Sequence, residues 1–527
     1  VITVVLVAAI LLPLAAVAAF GLQAMAAPEV LQNLIGSVLP GYLINTLALS
    51  ALAGTVALVL GVPAAWMVTA YDFRGRGLLE WSLVLPMAMP AYVLAYAYTD
   101  ALDPSGWLYR DIANGLAVLG VTLPRIDIRS LWGAGLVLGV ALSPYVALLS
   151  KTAFAERQGA AFDAARAMGL GPIKIFLRLA VPLARPAWIA GLALVVMECF
   201  ADYGTVAFFS VPTLSTGLFK AWFSYGDRST AALIALFLMI TVAILIWLEV
   251  KARGQAQWAT GRTGTRSRPI RVRGRAAWLM RVYCAIPGVI GFLIPLALLL
   301  HAGISAESSP QWLKLAQQAA SSILLGLAAV TLIVPSAWVA GYALRSGDAL
   351  ATPSVRIASA GYAMPGLVIA VGLLAWSGLF TQLADAWLGW RVALVGTGVL
   401  LLGAYLTRFF AVGLSSIESG LSRITRNIEW SASSLGLSPF RIFQSIHLPL
   451  MTRATGVAAL LVFVDVVKEL PATLVLRPFN LETLAVAAHH LAADELLSEA
   501  AWPAIMIALV GLLPLLVLGP ALQRGKS

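Results

Sequence analysis

Charge is scarce in this sequence. Of its 527 residues, 11% are Asp, Glu, Lys or Arg and 60% are hydrophobic, and the mean hydropathy is +0.90. A soluble globular chain carries about 25% charged residues, so this one cannot coat a water-facing surface. Cysteine is scarcer still. Cys199 and Cys284 both lie in apolar runs with no His or carboxylate cluster nearby, which argues against a zinc site or a disulfide framework and leaves two buried, inert thiols. A phosphate-binding loop is missing as well. The spacing G-x-x-x-x-G-K-[ST] does not occur; in the tail GPALQRGKS, Gly519 and Gly525 enclose five residues instead of four. No bound cofactor and no enzymatic activity are therefore expected of this chain. The first apolar run begins at Val1 without a small-residue cleavage pattern, so no signal peptide is assigned and the natural start is expected upstream.

What the sequence does have is long apolar runs, of the length a bilayer-spanning helix needs. They are continuous and do not alternate as barrel strands would, so the expected class is an all-α polytopic membrane protein. Runs bounded by charge place spans near 2–22, 42–70, 79–99, 131–150, 187–209 and 229–250, then near 282–302, 318–344, 355–378, 393–411, 454–476 and 501–521. The count is six plus six. A first half is expected over 1–250, a basic linker over 251–281 and a second half over 282–527.

The net charge of +11 does not indicate nucleic acid, because most of the 35 basic residues fall in alternate loops. With both termini inside, the cytoplasmic loops collect Arg74 and Arg76, the cluster from Lys151 to Arg185, the arginines of the linker, and Arg345, Arg356, Arg408 and Arg423 onward. The charge describes topology. The linker itself is Gly- and Arg-rich with no hydrophobic period and reads as a flexible connector.

The halves are homologous. Pro63-Ala64-Ala65-Trp66 parallels Pro335-Ser336-Ala337-Trp338, Met89-Pro90 parallels Met364-Pro365, and Asp202 aligns with Glu469, 267 positions on. Six spans per half make the repeat parallel, with a pseudo-two-fold axis along the membrane normal and a route between the halves. The best-marked repeat is DAARAMGLGPIKIFLRLAVPL (163–183), echoed by WSASSLGLSPFRIFQSIHLPL (430–450). In each, a short helix should end at a glycine, 169 or 436, in the left-handed conformation, and restart at a proline, 172 or 439. Ser438 is a suitable N-cap. Ile173, Phe176 and Leu177 are expected on one apolar face, with Lys174 and Arg178 on a basic one.

This spacing resembles the EAA loop of binding-protein-dependent ABC importer permeases, E-A-A, three residues, G, nine residues, I-x-L-P. The first copy supplies Asp163-Ala164-Ala165, Gly169, Leu179, Val181 and Pro182; the second supplies Trp430-Ser431-Ala432, Gly436, Ile446, Leu448 and Pro449. The resemblance implies the type I importer permease fold in a bacterial inner membrane, with each turn docking on one of two copies of a cytoplasmic ATP-binding subunit that uses the ATP. It also implies a periplasmic substrate-binding protein as partner. Both copies depart at the acidic position, with Asp163 in one and Trp430, preceded by Glu429, in the other. The stretch VVKELPATLVLRPFNLETLAV resembles the second half of fused iron(III) importer permeases, which implies ferric iron as cargo; fused permeases for thiamine, polyamines or phosphonates share the overall pattern. A twelve-span secondary transporter would need no docking turns, and no nucleophile–base pairing supports a membrane-embedded enzyme.

Ionisable groups at membrane depth suggest a functional pathway. Asp202, Lys468, Glu469 and Thr473 are the candidates, with Asp465 a further charge in the same span; carboxylate oxygens suit a hard trivalent ion. His489-His490, beside Asp494, Glu495 and Glu499, reads as a solvated loop that contacts the binding protein.

Overall fold

The computed structural model describes residues 2–26, 28–125, 127–157, 160–257, 269–306, 311–347, 349–389 and 393–524. Arg262, Arg266 and Arg268 of the linker and the tail from Gly525 to Ser527 lie outside the described residues. The first half contributes α1 (Ile2–Met25), α2 (Leu39–Ala70), α3 (Ala91–Leu102), α4 (Leu131–Arg157), α5 (Arg185–Ala201) and α6 (Arg228–Gln257). The second contributes α7 (Gly274–Ile304), α8 (Trp312–Ser346), α9 (Gly366–Leu388), α10 (Val399–Leu421), α11 (Leu448–Lys468) and α12 (Leu497–Arg524). Among the described residues ten helices are long and apolar enough to cross a bilayer, or up to twelve if two bent pairs each count as one span. The protein is an all-α polytopic membrane protein.

Two prolines redraw the expected third and ninth spans. The stretches 79–99 and 355–378 are not continuous helices. In each half a short helix (Arg76–Ser82 or Ala351–Ser359) leads into a 3-10 turn, and Met89 or Met364 is then extended before the helix restarts. The residue before a proline is steered away from helical angles, and Pro90 and Pro365 stand at the start of α3 and α9, where a missing N–H costs nothing. The first of these breaks bends the chain by 91°. The fifth and eleventh spans also end earlier than expected, because α5 stops at Ala201 and α11 at Lys468.

Each half is built on a bundle of its second, fourth and fifth helices: α2, α4 and α5 in one, α8, α10 and α11 in the other. The first helix of each half reaches across. α1 packs on α9 and α10 as well as on α6, and α7 continues into contact with α3 and α12. The α1–α9 crossing is close enough to require glycine: a Cβ on Gly372 would stand 2.1 Å from the Pro13 carbonyl oxygen. Small residues that let backbones approach are the usual currency of helix packing in lipid, where no hydrophobic drive holds helices together. Thr407 adds a hydroxyl donor to the Ile10 carbonyl at 3.2 Å. The sequence halves are thus interlocked, each completed by the other's first helix.

The linker is anchored at its far end. Ile270 and Arg271 form a two-residue parallel strand (β2) beside Tyr71 and Asp72 (β1), which continues from the end of α2. Both cysteines are buried and unpaired.

Candidate functional site

The duplicated turns fold alike. The first copy is a helix, Ala160–Ala167, that ends at Gly169 with φ +76°; the second is Arg426–Ser434, ending at Gly436 with φ +83°. In both, the glycine N–H reaches back three residues and the next N–H reaches back five: Gly169 to Arg166 and Leu170 to Ala165, Gly436 to Ser433 and Leu437 to Ala432. That pair of bonds is the Schellman termination, and glycine adopts its left-handed residue without steric cost. Pro172 and Pro439 then start the next helix, and the Ser438 hydroxyl accepts the Arg441 N–H.

Burial repeats in register over 267 positions. Ala165 and Ala432 face inward, while Asp163, Ala164, Gly169 and Pro182 are exposed, as are Trp430, Ser431, Gly436 and Pro449. The expected apolar face is rotated. Ile175 is buried and Phe176 half-buried, while Ile173 and Leu177 are exposed, and a π turn follows over Phe176–Ala180. Phe176 meets Trp66, ring centroids 6.1 Å apart, and Phe443 meets Trp338 at 5.5 Å, so the repeated tryptophans grip the repeated turns.

The copies differ in two respects. Glu429 does not replace Asp163. It aligns with the buried Phe162 and lies 2.7 Å from Arg345 and 2.8 Å from His447 Nε2, inside the fold, whereas Asp163 is exposed beside Arg166. The exits differ as well. The first copy turns by 71° before α5, where Pro186 follows, but Pro439–Lys468 runs on as a single unbroken span.

Between the halves lies a cavity of ≈ 200 Å³. Its charged lining is Glu198 and Asp202 from the first half, and Arg408, Asp465, Lys468 and Glu469 from the second. Asp202 and Glu469 stand just past the ends of α5 and α11, and each restarts a short helix. Asp202 accepts the Thr205 and Val206 N–H groups at 3.1 Å and the Thr205 hydroxyl at 3.0 Å. Glu469 accepts the Ala472 and Thr473 N–H groups at 2.9 Å, and Thr473 also donates its hydroxyl. Both carboxylates therefore satisfy the free N–H groups of a helix start inside the protein. Glu469 in addition lies 3.4 Å from Arg408 Nη1. Thr473 further bonds the Tyr405 hydroxyl at 2.7 Å, and Lys468 Nζ donates to the Met87 carbonyl at 3.1 Å.

Three corrections to the sequence reading follow. Arg408 is not a loop residue; it lies within α10, and its guanidinium lines the cavity. His489 is buried on the helix Leu484–Ala493, with Nδ1 3.0 Å from the Tyr96 hydroxyl, so it is not part of a solvated face. Glu198 was overlooked, although a signal was present. Glu198 and Asp202 are four residues apart, and at the 267-residue offset the same spacing recurs in Asp465 and Glu469. Tyr145 and Tyr362, which no sequence pattern marks, line the same cavity. Among the described residues no three His, Cys, Asp or Glu side chains are grouped to hold a metal ion.

Residues 57–252 match the family described as binding-protein-dependent transport system inner membrane component. The Fe(3+)-transport system permease protein FbpB 2 of Haemophilus influenzae is 24% identical over 482 residues, 90% of this chain and 88% of that one. The molybdenum transport system permease protein ModB of Escherichia coli is 26% identical over 221 residues, 40% of this chain and 93% of that one. The sulfate transport system permease protein CysT of Synechococcus elongatus is 29% identical over 137 residues, 26% of this chain and 46% of that one.

Proposed function

We propose that this chain is a binding-protein-dependent ABC importer permease and carries ferric iron as substrate from a periplasmic binding protein to the cytoplasm, with both of its termini on the cytoplasmic side. Two copies of a separate ATP-binding subunit would dock on the turns at 160–183 and 426–450 and hydrolyse the ATP; this chain would bind no nucleotide. The observation that carries the cargo reading is the lining of the central cavity, where four carboxyl groups face two cationic side chains. An excess of hard oxygen donors favours a hard cation over sulfate or molybdate, and a relative that spans both halves is an Fe(3+)-transport permease.

The geometry also supports a coupling route. Pro439–Lys468 is one helix of 30 residues, about 45 Å long at 1.5 Å per residue. It runs from the second docking turn to Asp465 and Lys468 at the cavity, so displacement of its docked end moves the cavity wall as a rigid rod. The first half makes the same connection through the bend before α5. Alternating access then follows from the two halves rocking about the cavity.

The test is uptake in proteoliposomes that hold this chain with its ATP-binding subunit, supplied with loaded binding protein. ATP-dependent accumulation of iron(III) is expected. Accumulation of molybdate or thiamine with no iron would overturn the cargo and leave the permease reading in place.

A further inference from the structure

We propose that Glu198 and Asp465, with the phenols of Tyr145 and Tyr362, form a transit site for a hard polyvalent cation, and that Lys468 is the resident ammonium which that cation displaces. The proposal deepens the import reading above and rests on it.

The division of labour among the four carboxylates is the starting point. Asp202 and Glu469 are engaged by backbone N–H groups and threonine hydroxyls at helix starts. Glu198 and Asp465 lie one turn earlier, inside α5 and α11, where the backbone N–H groups are already bonded within the helix. They have no capping duty, yet they line the cavity, one from each half and 267 positions apart. The Tyr362 hydroxyl lies 3.5 Å from Glu198 and is hydrogen-bonded to Tyr145. Carboxylate and phenol oxygens are the donor set that a hard trivalent ion prefers.

Lys468 occupies the wall of this site. A second cavity of ≈ 270 Å³, mostly apolar, shares Met87, Asp465 and Lys468 with the first. The Nζ-to-Met87 bond therefore spans the partition between the two. With Lys468 in place, the first cavity sets four carboxyl groups against two cations; with its ammonium turned away, four face Arg408 alone. The displaced ammonium thus leaves an excess of negative charge for an arriving hard cation. A cation arriving at Asp465 both repels the ammonium and takes its counter-charge, which loosens the partition toward the second cavity.

Terbium(III), a hard trivalent ion whose emission is sensitised by nearby tyrosine, is the probe, titrated into the full chain in lipid nanodiscs. Saturable sensitised emission is expected from the native protein. The variant E198Q/D465N, checked for native thermal unfolding, should lose at least tenfold in affinity. K468M should bind about tenfold more tightly, because a neighbouring like charge has gone; a residue that only supports the fold would not produce a gain. Absence of emission in the native protein, unchanged affinity in E198Q/D465N, or no tightening in K468M would each overturn the proposal. Failure of the import reading shows separately, as absent ATP-driven iron uptake while the terbium site responds as described.

Discussion

Trp338 meets Phe443 edge to face, ring centroids 5.5 Å apart and planes at 89°. The contact joins α8 to the second of the duplicated turns, and Trp66 and Phe176, 6.1 Å apart and tilted by 36°, hold the matching positions on α2 and the first turn. An aromatic pair of this geometry adds about 1 kcal/mol to the burial of its rings, and its position fixes the turn against α8. Phe443→Ala should lower stability by about 3 kcal/mol and leave ATP hydrolysis by the assembled complex less tightly tied to uptake. The measurement is the ratio of iron transported to ATP hydrolysed, which should fall in Phe443→Ala and largely return in Phe443→Tyr. An unchanged ratio in a folded Phe443→Ala protein would remove this contact from the coupling route.

Gly169 and Gly436 sit at φ +76° and +83° with open space where a Cβ would project. A substitution there is penalised by backbone angle alone, about 1–2 kcal/mol per residue for a β-branched side chain. Replacing both with Val should distort the Schellman turns and let ATP hydrolysis proceed without uptake, while Asn at both positions, which tolerates the left-handed region, should retain most transport. Full ATP-driven uptake in the double Val variant would sink the docking assignment.

The caps at Asp202 and Glu469 make a different kind of prediction. Asp202→Ala frees two N–H groups and a hydroxyl inside the protein, at a cost of about 1–2 kcal/mol, and Asp202→Asn keeps an acceptor. Thermal unfolding should therefore drop in the Ala variant and change little in the Asn variant. Specific uptake per folded molecule should hold in Asn, since the charge is there to cap. Loss of uptake in a stably folded Asp202→Asn protein would instead make this carboxylate a cargo contact.

The spans and the duplicated turns are legible because each leaves a pattern along the chain: apolar length in one case, and glycine and proline at fixed offsets in the other. The breaks were harder to read. Asp202 and Glu469 look like charges buried in a span, and only the structure shows that the span has ended beneath them. Met89-Pro90 and Met364-Pro365 were recognised as a repeat, but an apolar run continues through them and hides the stop. The crossing of α1 and α7 between halves has no signature at all. A helix that is apolar on every side does not record which neighbour it faces, and Gly372 becomes informative only once Pro13 is seen against it. Charge alone puts Arg408 in a loop, whereas its position within α10 places it in the cavity.

Glu80 and Lys151 pair at 3.0 Å between the short helix Arg76–Ser82 and α4. In the second half Arg356 and Glu418 pair at 3.0 Å between Ala351–Ser359 and α10. Lys151 and Glu418 are 267 positions apart and Glu80 and Arg356 fall within one residue of register, so the two halves carry the same bridge with its charges exchanged. What matters is then opposition of sign, not which helix bears the acid. Glu80→Lys should destabilise by about 3–5 kcal/mol, because it sets like charges together in a buried place. Glu80→Arg combined with Lys151→Glu should recover much of that, with a coupling of about 1–3 kcal/mol in a double-mutant cycle. Recovery stops short of native because Arg76, 3.3 Å from Glu80, then faces a like charge. Adding Arg76→Glu should restore the remainder. Thermal unfolding of the native protein, Glu80→Lys, the two single variants of the cycle, and the double and triple variants measures each step, and a reversed pair no more stable than Glu80→Lys alone would show that the bridge depends on shape and not on sign.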